Sequence, residues 1–364
     1  MLEFRGCSNF RQRIALATIS GRAIRIDDIR ANSETPGLRD FEACFLRLVE
    51  KVTNGCVVEI SETGTSLHYR PGIICGGSFI QHDCGKTRGI GYFLEPLILI
   101  SLFGKQALSI TLRGVTGGGS DPGVDTWRSV SLPLLRKLTG QSDGWELKVL
   151  RRGALPEAGG QVLLQCPIVR SLPACSMTQE GMVKRVRGVA HSMRVSPQVT
   201  NRMVDGARGP LNSLLADVFI FTDHMTGPQA GNSPGFGITL VAETTSGCLI
   251  GAEAQAEVNP EAPESSRVPE LVGLQATQRL LQEISCGGVM DQTHQVLILC
   301  VCAMGPAEIN ECRLGPLTPY AVQMLRHLRD FLDTVFTVKP EQDSSTLFLS
   351  CVGAGIKNMF KAVA

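Results

Sequence analysis

Two stretches of the chain repeat one pattern of hydrophobic and polar positions. Residues 24–52 start with a strand-like alternation, reach the turn Pro36-Gly37, and continue with apolar residues at helical spacing. Residues 108–138 start with the alternating LSITLR, pass a glycine-rich turn and Pro122-Gly123, and then show the same helical spacing. Each stretch therefore predicts a strand, a turn and an amphipathic helix, in that order.

A pair of predicted strands follows each of these helices. The first pair covers residues 56–60 and 66–70, and the second covers 146–150 and 161–167. A third copy of the turn and helix is predicted at 315–319 and 320–336. Each copy alone would expose an apolar face, so the copies are expected to pack together. The fold class predicted is α/β (α+β), with three repeated α/β units around a pseudo-threefold axis.

Residues 181–284 interrupt the repeat. After a basic segment, the pattern predicts a helix at 198–215, a strand at 217–222, a loop at 224–236, and a hairpin of strands 238–244 and 248–254. An exposed loop at 256–268 and a helix at 270–284 are expected next. This β-α-β-β-α order predicts a small inserted α/β domain. The domains are therefore expected at 1–180 (the first two units), 181–284 (the insert) and 285–364 (the third unit).

Composition indicates a folded protein with little overall charge. Hydrophobic residues make up 43% of the 364 positions, charged residues 19%, and the net charge is +1. The charge is uneven: residues 1–180 carry 21 Lys and Arg against 17 Asp and Glu, whereas 181–284 carry 8 against 10. The 13 cysteines include no CxxC pair, which favours free thiols in a reducing compartment. No signal peptide and no membrane-spanning run is expected, and no metal site or cofactor.

The segment at 151–162 carries a recognisable motif. It reads RRGALPEAGGQV, in which Arg152-Gly153, Pro156 and Gly159-Gly160 match the signature of the RNA 3′-terminal phosphate cyclase family. Ala158 stands near the first glycine of that signature, and Gln161 replaces its acid. Segments such as HDCGKTRGIGYFLEPLI (82–98) and LRGVTGGGSDPGVD (112–125) resemble the cyclase-like branch of that family rather than the true cyclases. The resemblance runs essentially from end to end.

The resemblance implies that catalysis is lost. The true enzymes use a histidine in the C-terminal unit to take AMP from ATP, and the corresponding stretch here, 310–319, contains no histidine. Cys312 lies in that stretch without a neighbouring base. The true enzymes also carry a glycine run near their start, where Asn9, Phe10 and Arg11 stand here. No cyclase activity is expected.

The function expected from the resemblance is that of a non-catalytic factor in small-subunit ribosome biogenesis. It would act in pre-rRNA processing in the nucleus, within the nucleolus. There it would serve as a scaffold that binds RNA and a nucleolar GTPase of the small-subunit processome. Glycine-flanked loops, and basic residues near the place of the RNA pocket in the true enzymes, are candidates for contacts with phosphate. These RNA or anion-binding candidates are Arg11, Arg13, Arg30, Arg39, Lys86, Arg88 and Arg152.

An alternative from another class is a metal-independent endonuclease that cuts pre-rRNA. Its candidate residues lie on the last helix, where His327 would act as acid or base and Arg326 or Arg329 would stabilise the charge of the transition state. Arg326 and Arg329 share a helix face at i and i+3, but no second proton-transfer group accompanies His327. A solvated helix face explains the same residues.

Overall fold

The first repeat unit is built as a β-α-β-α-β-β sequence around one sheet. In a computed structural model, which describes residues 1–256, 267–342 and 344–360, the order of strands in this sheet is β1-β2-β5-β4. Strand β1 runs parallel to β2, and β5 runs antiparallel to both β2 and β4. The elements are β1 (Leu2–Arg5), α1 (Phe10–Ser20), β2 (Ile24–Asp27), α2 (Asp40–Val52), β4 (Val57–Ile60) and β5 (Leu67–Arg70), with the short pair β3 (Thr53–Asn54) and β6 (Ile73–Ile74) beside them.

The second unit repeats this order, and its sheet reads β7-β8-β10-β9. Its elements are β7 (Gly77–Asp83), α3 (Ile90–Ser101), β8 (Leu108–Gly114), α4 (Val124–Thr126), a π-helical turn (Trp127–Ser131), α5 (Leu132–Thr139), β9 (Glu146–Arg151) and β10 (Gly160–Cys166). The predicted helices after Pro36-Gly37 and Pro122-Gly123 and the two predicted strand pairs are therefore confirmed.

The third unit has the same sheet order, β11-β16-β18-β17. Its elements are β11 (Ser176–Met177), α8 (Gln295–Met304), β16 (Ile309–Leu314), α9 (Pro319–Leu332), β17 (Thr337–Pro340) and β18 (Leu347–Val352). The sheet thus begins before the insert, and residues 176–177 belong with the third unit rather than with the first two. Helix α9 ends four residues earlier than predicted because Asp333 takes a left-handed conformation, with φ 56°.

The insert forms a fourth sheet, β13-β12-β14-β15, with two helices on one face. Its elements are β12 (Val183–Met193), α6 (Gln198–Asn212), β13 (Val218–Met225), β14 (Gly235–Thr244), β15 (Leu249–Gln255) and α7 (Pro269–Cys286). Strand β13 is longer than predicted because its parallel pairing with β12 continues to Met225. Residues 257–266 of the predicted loop at 256–268 lie outside the described residues.

Two hydrophobic cores correspond to the repeats and the insert. One continuous cluster contains buried residues of all three repeat units, such as Ile14, Leu97 and Leu299, which confirms that the units pack together. A separate cluster lies between the insert sheet and helices α6 and α7. The insert boundaries near 180 and 285 stay a prediction. Among the residues described, no helix combines the length and the apolar composition needed to cross a membrane.

Candidate functional site

Helix α1 starts where, by the resemblance, the true cyclases carry the glycine run near the beginning of their chain. Asn9 caps this helix in a left-handed conformation with φ 56°, and its carbonyl accepts the backbone N–H groups of Gln12 and Arg13. Phe10 is buried, with 3% of its surface exposed. Phe10 at the start of this helix therefore packs into the interior, and its neighbours Asn9 and Arg11 are half-buried.

Arg11 lies between two aromatic rings at this helix start. Its guanidinium is 4.8 Å from the ring centroid of Tyr92 and 5.2 Å from that of Tyr320, and Nη2 is 2.7 Å from a carboxylate oxygen of Glu95. Nε donates to the hydroxyl of Tyr320 at 2.8 Å. Burial alone would lower the pKa of Arg11, but Glu95 and Tyr320 outweigh it and raise the pKa above its usual value. The charge of Arg11 is thus satisfied within the protein.

Arg13 is enclosed on the other side of helix α1. It is 6% exposed, its guanidinium lies 4.7 Å from the ring centroid of Phe4, and Nη1 donates to the carbonyl of Gly6 at 2.8 Å. Burial lowers its pKa. A phosphate could reach this guanidinium only if the helix start moved.

The two arginines before helix α2 are held by its first turn. Arg30 makes a bidentate pair with Glu42, with N···O distances of 2.7 and 2.8 Å. The same carboxylate accepts the backbone N–H of Arg39 at 2.8 Å, which caps the helix. The Arg39 guanidinium donates to the hydroxyl of Thr35 at 2.5 Å. Arg30 therefore serves the helix cap, and Arg39 remains partly exposed beside it.

In the loop of residues 84–89, Lys86 is exposed to solvent and Arg88 is held in place. Lys86 pairs with Glu157 of the family motif, and its side chain is 59% exposed. Nε of Arg88 donates to Asp121 at 2.7 Å, and the guanidinium packs 4.7 Å from the ring centroid of Tyr92. Asp121 also accepts the backbone N–H of Gly89 at 3.1 Å. The predicted loop is thus fixed by Asp121, and Lys86 is its exposed cation.

Arg152 of the family motif lies in the interior, at the contact between the repeats and the insert. It is 1% exposed and is 2.6 Å from a carboxylate oxygen of both Asp125 and Asp223. Burial would raise the pKa of Asp125, but Arg152 holds it well below the usual range. Nδ1 of His191 is 3.4 Å from Asp125, and burial lowers the pKa of this histidine to about 4. Arg152 therefore joins two parts of the fold instead of facing a ligand.

The rest of the motif forms the turn between β9 and β10. Ala158 has φ 54°, the left-handed conformation that glycine adopts most easily, so it keeps the backbone shape of the glycine it replaces. A Cβ at Gly153 would lie 2.2 Å from the backbone nitrogen of Gly160, so the tight packing of this turn requires glycine there. Gly153 and Ala158 of the motif therefore shape this turn.

The stretch 310–319 contains the end of one strand of the third sheet, followed by a loop. Residues up to Leu314 lie in strand β16, and Thr318 caps helix α9 by accepting the N–H of Ala321 at 3.1 Å. Cys312 is 0% exposed, in the middle of the strand. A thiol in that position has no access to a substrate.

The three residues of the nuclease alternative do not converge. His327 is 0% exposed and packs with its ring centroid 5.6 Å from that of Phe4, whereas Arg326 and Arg329 are exposed. Burial, and then the charge of Arg13, lower the pKa of His327 to about 4. The imidazole faces the interior while both guanidinium groups face solvent, so the geometry disfavours this alternative.

An open cleft of about 830 Å³ lies beside the motif turn, at one edge of the second sheet. Of the predicted candidates only Lys86 lines it. Sequence reasoning missed its other cations, Arg47, Arg113 and Arg151. The signal available in the sequence was the solvent-facing position of Arg113 in the predicted alternation of its strand. Arg151 lies beyond the predicted strand 146–150, and a β-bulge beside it places it opposite Gln161.

Comparison with known proteins gives a consistent result. A family model described as RNA 3′-terminal phosphate cyclase matches residues 2–338. The RNA 3′-terminal phosphate cyclase-like protein of Homo sapiens is 44% identical over 368 residues, covering 100% of this chain and 98% of that protein. A probable RNA 3′-terminal phosphate cyclase-like protein of Dictyostelium discoideum is 46% identical, with 100% of both chains covered. The rRNA processing protein rcl1 of Schizosaccharomyces pombe is 42% identical, covering 99% of this chain and 98% of that protein.

Proposed function

The chain belongs to the RNA 3′-terminal phosphate cyclase family, and from that premise we propose that it has lost the cyclase reaction and acts as a scaffold in pre-rRNA processing. Its relatives support a role in rRNA processing, since one of them is named for that process. The finer proposal is a nucleolar factor for the small ribosomal subunit that binds pre-rRNA and a GTPase of the processome.

The observation that carries the loss of catalysis is the pairing of Arg11 at the start of helix α1. Arg11, Tyr92, Tyr320 and Glu95 satisfy one another there, so the charge of Arg11 is not free for the phosphates of ATP. The missing histidine in 310–319 is an independent defect, because without an imidazole no adenylylated intermediate can form at that position. Either defect alone would abolish ATP chemistry of the family type.

A scaffold fits the way the charges are distributed. The repeat units carry exposed cations on the second sheet, whereas the sequence of the insert has an excess of two acidic residues (10 against 8). Segments of different net charge on one chain suit two partners of different kinds, an RNA and a protein. The acidic insert is the surface we propose for the GTPase.

Depletion in cells that make the protein tests this proposal. Mature small-subunit rRNA should fall and its unprocessed precursor should accumulate, while large-subunit rRNA is made normally. A tagged chain should also co-purify with pre-rRNA and with one large GTPase, and should be found in the nucleolus. Unchanged levels of precursor and mature small-subunit rRNA after depletion would refute the role.

A further inference from the structure

The outer face of the second sheet carries a group of cations that the fold does not use. Strand residues alternate, so Leu112, Val162 and Leu164 point into the core while Arg113 and Gln161 point outward. Helix α2 borders this face with two further cations one turn apart. We call the set the basic face; its members are Arg47, Lys51, Arg113, Lys148 and Arg151.

Strand register aligns the basic face. Gln161 of β10 is opposite Arg113 of β8 on one side and opposite Arg151 of β9 on the other. Because neighbouring strands are about 4.8 Å apart, the two arginine backbones are separated by roughly 10 Å. Lys148 of β9 also points outward and lies opposite Leu163 of β10. Lys51 and Arg113 both donate to Gln81, which links the helix to the sheet.

Within the described residues, no carboxylate oxygen lies within 4.0 Å of any cation of the basic face. Their polar partners are neutral oxygens: Lys51 and Arg113 contact Gln81, and Nε of Arg151 donates to the carbonyl of Ala230 at 3.0 Å. The arginines on the second strands of the other two repeat sheets differ in this respect. Nε of Arg25 is 2.9 Å from Asp27 on the first sheet, and Nη2 of Arg313 is 2.6 Å from Glu341 on the third. Each of the three repeat sheets thus has an arginine on its second strand. Among the residues described, only that of the second sheet, Arg113, has no carboxylate as its partner.

The cleft at the edge of this face provides room for a ligand. Arg47, Arg113 and Arg151 line it together with the glycines of the motif turn. Three acidic residues line it: Glu157 pairs with Lys86, Asp83 accepts the N–H of Gly85 at 2.9 Å, and Asp40 lies in the first turn of α2, where a negative charge favours the helix. The arginines are therefore the groups in the cleft that remain available to an anion.

We propose that the basic face binds the phosphodiester backbone of single-stranded RNA, with Arg47, Arg113 and Arg151 on successive phosphates. This assignment rests on the proposed function and names the surface by which it is carried out. A planar guanidinium binds a phosphate through two parallel N–H···O bonds, and a row of such groups follows a chain of phosphates. RNA fits better than the side chains of an acidic peptide, because ribose hydroxyls can donate to the carboxylates of Asp40 and Asp83, whereas ionised Asp and Glu side chains can only accept.

Fluorescence anisotropy of the full chain with a labelled oligouridine of about 20 nucleotides tests the assignment. The double variant Arg47→Glu/Arg113→Glu should raise Kd roughly tenfold at about 50 mM salt, and the salt slope of log Kd should fall by about 1.4, since each lost contact contributes about 0.7 on a single strand. The control Arg5→Glu/Arg326→Glu makes the same change of charge at exposed arginines elsewhere and should bind within about twofold of the native chain. Melting curves should match, because none of the four side chains is buried.

Equal loss of affinity in both double variants would overturn the assignment, because the effect would then depend on net charge alone. Absence of oligouridine binding by the native chain would overturn it too. A labelled polyglutamate peptide serves as the competing probe. If that peptide binds more tightly than RNA and loses affinity in Arg47→Glu/Arg113→Glu, the surface is a protein site. Any of these results leaves the depletion phenotype intact, so failure of the RNA assignment and failure of the processing role can be told apart.

Discussion

The positive charges of Arg11 and Arg152 are neutralised by carboxylates inside the molecule. Arg11 is bonded to Tyr320, 309 positions away in the chain, and Arg152 to Asp223, 71 positions away. Sequence could identify Arg152 as part of the family motif and Arg11 as a residue that stands where the true cyclases have glycine, but the partners that neutralise them come from distant segments. For the same reason the cations left free, such as Arg113, could not be distinguished from the paired ones before the fold was known.

His327 gives a test at the level of one side chain. Its folded-state pKa of about 4 lies below the value of about 6.5 for an unfolded histidine, so between these pH values the unfolded chain binds more protons. The free energy of unfolding contributed by this residue is therefore fully present above pH 6.5 or so and is lost as the pH falls toward 4. The loss is at most about 1.4 kcal/mol per pH unit.

His327→Gln, which keeps a similar volume and can still contact Gln323, should flatten this pH dependence. Urea unfolding at several pH values between about 7 and 4.5 should give a smaller slope of unfolding free energy against pH than the native chain gives. The neighbouring charges, Arg13 and Asp330, are unchanged in the variant. An identical slope in both proteins would mean that the pKa of His327 is the same in the folded and unfolded chains, as for an imidazole open to solvent, and the nuclease alternative would then be favoured again.

At the scale of elements, the repeat could be predicted from the sequence where its helices are amphipathic. Helices α2 and α9 each have one apolar stripe, and both were predicted from it. Helix α8 is buried on every side, from Gln295 to Met304, so its sequence VLILCVCAM has no polar face to reveal the helical period. Helix α3 is almost entirely buried as well. The short strand β11 has only two residues and could not be recognised without its partner β16.

The insert offers a test at this scale, because its two ends meet. The backbone N–H of Gly288 donates to the carboxylate of Glu180 at 2.6 Å, so a short linker can replace residues 181–284. The insert also has its own hydrophobic cluster. We expect the excised chain to remain soluble and to melt in one cooperative transition. Its melting temperature should be lower than that of the full chain, because Arg152 loses Asp223.

Circular dichroism and calorimetry of the excised chain would measure this. A matched control keeps the insert but carries Asp223→Asn, which weakens the same buried ion pair without removing any element. If the control lowers the melting temperature and the excised chain aggregates, the insert is part of the repeat core rather than a separate domain.

For the whole molecule, three similar units surround one core, and contacts between the units pass through the start of helix α1. Arg11 is held by Tyr320 from the third unit and by Tyr92 and Glu95 from the second, so these side chains join the units to one another. The end-to-end resemblance predicted the fold and the family. It could not predict which basic residues stay exposed, because that depends on packing between units.

Incubation with ATP tests the loss of catalysis most directly. The chain is mixed with magnesium, ATP labelled at the α-phosphate and an RNA that ends in a 3′-phosphate, beside a true RNA 3′-terminal phosphate cyclase as a positive control. The account predicts no label on the protein and no cyclic phosphate on the RNA, while the control gives both. Stoichiometric labelling of this chain, or conversion of the RNA end at a rate near that of the control, would contradict it.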